Sequence, residues 1–389
     1  MIIIDRRNEC SACAACANIC PKKAIELLAD ENGFVFPEIN KRTCIDCSLC
    51  NSVCQIELKS LKEEYAQEFY ALINKNDKHL KASSSGGAFL TVAEYVFKNG
   101  GIVVGCAFDK DLKAVHTVTY NLEECIEKLC GSKYVQSEIQ YTYMEVKQFL
   151  KSGKLILYVG TPCQIEGLLL FLKNKPKNLI TMDLICHGVS SPLLWKKHKE
   201  YLENKVHQKI NKYSFRCKKR EGWSLYYYYY YGKNSCKHGS SFLDRYYNDF
   251  LKGVNYRESC YTCRYANLQR VGDITIGDFW GAEKYIEGVD LNSGISLIIV
   301  NSSLGNEIIT KVKDNIWLQK VEMKNAVKEN HNLIHPTVRP KERDEYYSKC
   351  FSDLKRWETE FIKTKMWKKE NFKSKIPIIF LKIKRRFIK

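Results

Sequence analysis

Eight cysteines within the first sixty residues fall into two runs of the same spacing. Cys10, Cys13, Cys16 and Cys20 follow the pattern C-x2-C-x2-C-x3-C, and Cys44, Cys47, Cys50 and Cys54 repeat it. Three thiolates on one tight loop can reach three irons of one cubane, while the fourth cysteine points toward a second cubane. A zinc site instead uses pairs of ligands. The spacing therefore predicts two 4Fe–4S clusters, one held by Cys10, Cys13, Cys16 and Cys54 and the other by Cys44, Cys47, Cys50 and Cys20.

This spacing is similar to that of two-cluster bacterial ferredoxins. Pro21 follows the first run as that pattern requires, whereas Gln55 stands where a proline is expected after the second. Between the runs, residues 24–40 read as a short helix, a turn at Asn32-Gly33 and a strand. We therefore expect a two-cluster ferredoxin-type domain over residues 1–60, and a group that exchanges electrons with it in the rest of the chain.

A further pair, Cys260 and Cys263, forms a lone Cys-x-x-Cys. Cys163 and Cys186 each follow an apolar run that reads as a strand, and open α/β sheets bind ligands at the carboxyl ends of their strands. We predict that Cys163, Cys186, Cys260 and Cys263 hold a third 4Fe–4S cluster, with Cys217 as the reserve ligand. Two alternatives stay open: a four-cysteine zinc site, and cysteines that only pack as small apolar residues.

The segments that carry these residues alternate between strand and helix patterns. Apolar runs at 101–108 and 154–159 read as buried strands, and 83–101 reads as a Ser/Gly loop followed by an amphipathic helix. The tyrosines at 226–231 alternate faces and read as a half-buried strand at the edge of a sheet. These patterns predict a mixed α/β fold.

Several motifs occur in a fixed order along the chain. They are the cysteine runs, SSSGGAF (83–89), GSKYVQS (131–137), GTPCQIEGL (160–168), CHGV (186–189) and CYTCRYANLQRVGDITIGDFWG (260–281). In this combination, residues 1–340 resemble the coenzyme F-420 hydrogenase/dehydrogenase beta-subunit family. The resemblance implies an iron–sulfur flavoprotein that binds FAD and converts between hydride transfer and one-electron transfer. The family includes reductases of other substrates, so the hydride acceptor, a deazaflavin or another small molecule, stays open.

The resemblance also implies a division of the chain and a set of cofactor contacts. A mixed-sheet, FAD-binding oxidoreductase domain follows the ferredoxin domain over residues 61–340, with parts at roughly 64–150 and 151–340. Beyond the reach of the resemblance, residues 341–389 read as a basic helical tail. The implied FAD contacts are Ser85, Gly86, Gly87, Lys133, Tyr134, Gln136, Thr161, Pro162 and Gln164. The catalytic residues are unknown. His187 is a candidate proton donor or a structural histidine, and Asp278 is a candidate site residue or a turn aspartate.

Two classes of function follow from these expectations. One is an FAD- and iron–sulfur-dependent oxidoreductase acting on a small hydride acceptor; the other is a non-catalytic electron-transfer subunit of a larger redox complex. Either class implies a protein partner, such as a ferredoxin or a hydrogenase-like protein, that gives or takes electrons.

Composition and charge limit the other possibilities. The formal net charge of +18 comes without a nucleic-acid-binding motif, so we interpret it as solvated basic faces rather than a nucleic-acid partner. Residues 367–389 are basic around the apolar stretch 376–381, and either peripheral contact with an anionic membrane or a terminal helix docked on the body fits them. No signal peptide is recognisable, and eighteen cysteines predict metal or redox chemistry in the reducing cytoplasm.

Overall fold

The computed structural model describes residues 4–59, 64–219, 222–233 and 235–375. The apolar stretch of the basic tail, 376–381, lies outside these ranges, so both interpretations of the tail stay predictions. None of the helices in the described ranges has the length and apolar character needed to span a bilayer. All eighteen cysteines are free thiols.

The N-terminal unit contains a short helix within the first cysteine run and a two-stranded hairpin between the two runs. Its elements are α1 (Ala15–Ile19), β1 (Ile25–Ala29) and β2 (Val35–Ile39). β1 pairs antiparallel with β2, and the chain reverses at Gly33, whose φ of +79° suits a glycine. The helix predicted at the start of residues 24–40 is therefore wrong, because pairing with β2 outweighs the weak local helix preference.

The remaining elements follow in two series. The strands are β3 (Glu68–Asn74), β4 (Ile102–Phe108), β5 (Ala114–Thr119), β6 (Ile156–Gly160), β7 (Leu179–Leu184), β8 (Ile210–Ser214), β9 (Tyr226–Tyr231), β10 (Ser235–Ser240), β11 (Ile274–Asp278), β12 (Ser296–Val300) and β13 (Ile316–Lys320). The helices are α2 (Asp77–Ala82), α3 (Ala88–Lys98), α4 (Leu122–Lys128), α5 (Thr142–Lys151), α6 (Pro162–Leu172), α7 (Pro192–Val206), α8 (Arg245–Leu251), α9 (Glu258–Tyr261), α10 (Ser303–Val312), α11 (Met323–Lys328), α12 (Arg343–Ser352), α13 (Leu354–Lys363) and α14 (Lys365–Lys375).

Eight strands form one mixed sheet in the order β13-β3-β12-β11-β7-β6-β4-β5. The neighbours β4, β6, β7 and β11 run parallel, and the flanking strands run antiparallel. The parallel strands are predominantly apolar because both faces are covered: α3, α4 and α10 pack on one face, and α5 and α6 pack on the other. The mixed α/β fold predicted from the sequence is confirmed.

A second, three-stranded sheet has the order β10-β9-β8. The tyrosine strand β9 is its central strand and pairs on both sides, so the prediction that it lies at an edge is wrong. Tyr227 and Tyr229 are buried in an aromatic core with Trp195 of α7. The sequence pattern correctly indicates a strand with two different faces, but it contains no information on how many neighbours that strand has.

Candidate functional site

The first predicted cysteine set surrounds one cavity. Cys10, Cys13, Cys16 and Cys54 all line it. Burial raises the pKa of Cys13 to about 12, and the neighbouring Cys10 adds to the effect. Burial and the charges of Cys13, Cys10 and Cys54 raise the pKa of Cys16 in the same way. Closely spaced, half-buried cysteines, two of which have a raised pKa, suit a bound metal cluster, which compensates the charge of their thiolates.

The two cysteine loops repeat one backbone conformation. Ala12 and Ala14 have φ of +54° and +63°, and Asp46 and Ser48, at the equivalent positions of the second run, have φ of +50° and +57°. Left-handed residues within such turns direct successive N–H groups inward and make the concave anion sites common around iron–sulfur clusters. Equal cysteine spacing therefore goes with left-handed residues at the same two positions of each run, although an α-helix follows in the first run and a 3-10 turn in the second.

The second set lies nearer the surface. Cys20 and Cys50, from different runs, pack in one small cluster with Ile25 and Ile39. The Ala24 N–H donates to Cys20 Sγ at 3.2 Å. The remaining two members are Cys44 and Cys47, and Cys47 is exposed. The pairing of a fourth cysteine with the opposite run thus fits the packing, and the cluster itself stays a prediction.

The third set collects cysteines from distant segments at the carboxyl edge of the parallel strands. Cys163 lies in the first turn of α6 directly after β6, and Cys186 follows β7. Cys260 lies in α9 and Cys263 just beyond it. An isolated bridge between residues 190 and 256 brings the segment after Cys186 alongside α9.

The four thiols of this set act on one another electrostatically. Burial raises the pKa of Cys186 well above its usual value, and the charges of Cys260, Cys163 and Cys263 raise it further. Burial also raises the pKa of Cys163 to about 11 and that of Cys260 to about 12, and Cys263 contributes to both. Among the described residues, no three His, Cys, Asp or Glu side chains close on a single metal ion. The lone Cys-x-x-Cys thus has its two predicted partners nearby, and the bound group stays a prediction.

The first and third cysteine sets lie against each other. At Gly167, α6 packs so closely on Cys13 that an added Cβ atom would lie 2.9 Å from Cys13 Cβ. Gln55 Nε2 donates to the Cys163 carbonyl at 3.2 Å, and Gln55 Oε1 accepts from the Tyr265 hydroxyl at 2.5 Å. The residue that departs from the ferredoxin pattern therefore joins the two sets.

A larger cavity of about 310 Å³ opens at the carboxyl ends of β6, β7 and β11. Its size is that of a small-molecule site, and its position is the one at which α/β sheets place ligands. The Ser/Gly loop, residues 129–135, Cys186 and His187 all line it. A cysteine of the third set thus borders the cavity directly.

Most of the predicted cofactor contacts lie around this cavity. Ser85, Gly87, Lys133, Tyr134, Thr161 and Gln164 line it, whereas Gly86, Gln136 and Pro162 do not. Gly86 instead packs on the main chain of β3, where a Cβ atom would lie 2.1 Å from the Leu72 carbonyl. Gln136 turns toward the N-terminal unit and donates to the Ser11 carbonyl at 3.1 Å. The role of these residues as cofactor contacts is an open prediction.

The N-terminus of α3 is open toward the cavity. Gly87, at the N-cap with φ of +90°, offers no side-chain cap, and Ala88 and Phe89 line the cavity. Uncapped N–H groups at a helix N-terminus bind anions such as phosphate. At α6, by contrast, Pro162 has no N–H and Gln164 Oε1 accepts from the Thr161 N–H at 3.0 Å. The donor set at α3 therefore fits the phosphates of a dinucleotide.

Lys133 reaches the same region but is already engaged. Its ammonium donates to the carbonyls of Lys128, Leu129, Cys130 and Gly131 at 2.9–3.1 Å. Burial lowers its pKa. Lys133 thus stabilises the carbonyl end of α4, as basic residues at helix C-termini do, and a phosphate contact would require its side chain to turn.

The two candidate catalytic residues also line the cavity. Burial lowers the pKa of His187, and His331, with its ring centroid 6.0 Å away, lowers it further. Asp278 accepts from Arg216 Nη1 at 2.6 Å and from Trp223 Nε1 at 3.0 Å. Asp278 therefore accepts hydrogen bonds from side chains of segments distant in sequence.

Sequence reasoning missed Arg216 and Arg257. Arg216 follows β8 in the stretch SFRC, and Arg257 lies three residues before Cys260. Both are buried, with 5 % and 1 % of their surface exposed. A charged residue beside a strand end or a cysteine motif is the one sequence signal that could have marked them, because fully buried arginines are rare without a specific partner.

In this fold a cysteine-rich N-terminal unit packs on a mixed α/β body, beside a cavity at the carboxyl ends of the parallel strands. Residues 153–326 match the family model that describes the C-terminal part of the beta subunit of coenzyme F420 hydrogenase/dehydrogenase, in agreement with the resemblance seen in the sequence.

Three curated proteins show how far the similarity extends. The F subunit of the F(420)H(2) dehydrogenase of Methanosarcina mazei is 24% identical over 196 residues, 47% of this chain and 54% of the relative. "Coenzyme F420-dependent sulfite reductase" of Methanocaldococcus jannaschii is 27% identical over 170 residues, 41% of this chain and 24% of the relative. An uncharacterized polyferredoxin-like protein of the same organism is 36% identical over 55 residues, 12% of this chain and 33% of the relative. The matches span about half or less of these relatives.

The structure is also similar to part of a solved complex, the F420-reducing nickel–iron hydrogenase from Methanosarcina barkeri. A chain of that complex aligns with a TM-score of 0.45 and 16% identity, covering 69% of this chain and 92% of that one.

Proposed function

We propose that this protein is an iron–sulfur flavoprotein oxidoreductase that passes electrons between 4Fe–4S clusters and FAD, with hydride transfer to or from a deazaflavin or another small molecule. The position of Cys186 carries the proposal, because this third-set cysteine borders the cavity that contains the predicted flavin contacts. Cys163 of the same set lies within electrostatic range of Cys13 in the first set. The three groups of residues therefore form a continuous series from the N-terminal unit to the cavity.

Different residues of the cavity would bind different parts of a flavin. The open N-terminus of α3 after Gly87 suits the phosphates. Gln164 Nε2 donates to Ser137 Oγ at 2.9 Å, so that its amide is held in a fixed orientation at the cavity wall. A bound flavin supplies the conversion between one-electron and hydride chemistry that clusters alone lack.

His187 is the residue we propose for proton movement. Its lowered pKa favours the neutral imidazole near neutral pH, so one ring nitrogen can accept a proton and return it. Asp278 lines the cavity, is held in place by the buried Arg216 and would orient a polar substrate. Because all eighteen thiols are free, we place this chemistry in the reducing cytoplasm.

The test is anaerobic purification with iron, sulfide and flavin counted per chain. Three clusters correspond to about twelve irons, accompanied by about one FAD. A count of about eight irons per chain would contradict the third cluster and leave the rest of the proposal in place. A colourless protein, without the broad visible absorbance of iron–sulfur clusters, would contradict the proposal as a whole.

The exposure of Cys47 supports a second candidate, a protein that only transfers electrons within a larger complex. A cluster at the surface can exchange electrons with a docked protein more readily than a buried one. Reduction of a deazaflavin or another acceptor by the isolated protein with a ferredoxin-type donor supports the enzyme. Turnover that requires an added partner protein supports the electron-transfer role.

A further inference from the structure

Arg257 carries a positive charge into the interior of the molecule. Its side chain is 1 % exposed, and within the described part of the chain its guanidinium donates to uncharged oxygens alone. The acceptors are the Cys10 carbonyl at 2.6 Å, Gln136 Oε1 at 3.2 Å and the Val35 carbonyl at 3.0 Å. A buried charge needs a compensating charge. Hydrogen bonds to neutral groups provide acceptors for the N–H groups of the guanidinium but do not balance its positive charge.

Two other buried arginines in this chain have that compensation. Arg216 pairs with Asp278, and Arg270 pairs with Asp183 at 3.2 Å. For Arg257, burial lowers the pKa, and the charges that raise it come chiefly from Cys10 and Cys260. The cysteine sulfurs of both sets, together with the Asp30 carboxylate, are therefore the groups around this guanidinium that can carry a compensating negative charge.

Arg257 is also joined to both cysteine sets through the main chain. Its Nε holds the carbonyl of Cys10, in the first set. Its own carbonyl accepts from the Cys260 N–H at 2.9 Å, so that it begins the turn bearing the third set. The guanidinium lies over the ring of Phe36, with Cζ 4.3 Å from the ring centroid. The charge therefore has a single position between the two sets.

We propose that Arg257 is the fixed counter-charge of the first and third clusters and raises their reduction potentials relative to that of the second cluster. The inference rests on the proposed function. Each cluster reduction adds one electron and no bond is made or broken, so the reduced state is more anionic and gains more from a nearby cation. Arg257 keeps its proton throughout and acts as a positioning residue for charge.

The test compares Arg257→Gln with Arg257→Lys in the full, reconstituted chain, by potentiometric titration followed by electron paramagnetic resonance. In Arg257→Gln, we expect the ratio of reduced to oxidised first and third clusters at a fixed potential to fall about tenfold, or about 59 mV for one electron. Arg257→Lys should retain most of the wild-type potential because it retains the charge. The second cluster should not change in either variant.

Gln136→Glu provides an independent test that keeps Arg257 in place. The new carboxylate would face Arg257 Nη1, which lies 3.2 Å from Gln136 Oε1, and neutralise the charge while keeping the hydrogen bond from Arg257. Gln136→Glu also removes the bond from Gln136 Nε2 to the Ser11 carbonyl, so Gln136→Leu, which removes that bond without adding a charge, is its control. In Gln136→Glu, we expect the same two potentials to fall as in Arg257→Gln. This variant decides the question if Arg257→Gln does not fold.

The outcomes separate this inference from the proposed function. A wild-type protein without iron would contradict the proposed function and the inference together. A wild-type protein with its full iron content, and equal potentials in Gln136→Glu, would overturn the inference alone. Equal shifts in Arg257→Gln and Arg257→Lys, or a shift of all three clusters, would also overturn it, because geometry rather than charge would then be responsible.

Discussion

Arg216 Nη1 donates to Asp278 Oδ2 over 2.6 Å at the wall of the larger cavity, across 62 positions of sequence. The guanidinium also lies over the ring of Trp280, 5.3 Å from its centroid. Trp223 Nε1 donates to the other carboxylate oxygen at 3.0 Å. The pair thus joins the small sheet, through the segment after β8, to the end of β11 in the large sheet.

Asp278→Asn should destabilise the protein, because it leaves Arg216 buried without its counter-charge. We expect the free energy of unfolding to fall by about 3 kcal/mol, measured by urea unfolding of the cofactor-loaded protein. Trp223→Phe, which removes one hydrogen bond to the same carboxylate, should cost only about 1 kcal/mol. Equal losses in the two variants would contradict the role of charge.

The third cysteine set can be tested by single substitutions. Cys260→Ser and Cys186→Ser should each lower the iron content by about four atoms per chain, because a cubane needs all its thiolate ligands. Cys217→Ser is the matched control. Among the described residues, the cysteines whose charges raise the pKa of Cys186 are Cys260, Cys163 and Cys263, and Cys217 is not one of them. A loss of iron in Cys217→Ser equal to that in Cys186→Ser would contradict the assignment.

Features that depend on local order were predictable from the sequence. The strand and helix around Cys163 follow from one apolar run and a proline at the helix start, and both form as predicted. The strand β1 was predicted as a helix because its partner lies beyond a turn. Contacts such as Arg257 with Cys10, 247 positions apart, arise from docking of two units, which local patterns do not encode.

Gln55 illustrates the limit of pattern matching, because its departure from the ferredoxin pattern has a structural role. Gln55→Leu should keep the N-terminal irons, since Cys54 is unchanged, but it removes the bonds to Cys163 and Tyr265. We expect the free energy of unfolding to fall by about 2 kcal/mol. Flavin reduction through the clusters should also slow, which stopped-flow absorbance measures.

Ser52→Ala is the control for Gln55. Ser52 lies close by in sequence, and its hydroxyl donates to the Leu49 carbonyl at 2.8 Å on the exposed surface. It should leave both the stability and the rate of flavin reduction unchanged. A rate in Gln55→Leu equal to the wild-type rate would show that this residue does not couple the two cysteine sets.

Gly87 and Gly100 form a matched pair for the proposed flavin site. Both have positive φ, of +90° and +70°. A Cβ atom at Gly87 would lie 2.8 Å from Asn74 Cβ, whereas one at Gly100 meets nothing within 4 Å. Gly100→Ala should therefore cost only the backbone strain, about 1–2 kcal/mol. Gly87→Ala should cost more and also lower the flavin content per chain; flavin retained at the wild-type level would contradict the site at α3.

His198 lies between two buried carboxylates and should make stability depend on pH. Nδ1 is 2.7 Å from Glu358 Oε1, and Nε2 is 3.0 Å from Asp244 Oδ2. Burial lowers the pKa of His198, but the two carboxylates outweigh this effect and raise the pKa to about 10. The imidazolium therefore fastens α7 to the start of α8 and to α13.

The sign of the effect follows from the proton count. The stabilisation is fully present below the unfolded pKa of about 6.5 and is lost as the pH rises through 10. Within that window the folded state holds one more proton, so this group lowers the free energy of unfolding by about 1.4 kcal/mol per pH unit. Glu358→Gln removes one carboxylate and lowers the pKa of His198, while leaving the other titrating groups in place. Urea unfolding from about pH 6.5 to about pH 9.5 should give a shallower slope for this variant, and a slope equal to that of the wild type would contradict the buried imidazolium.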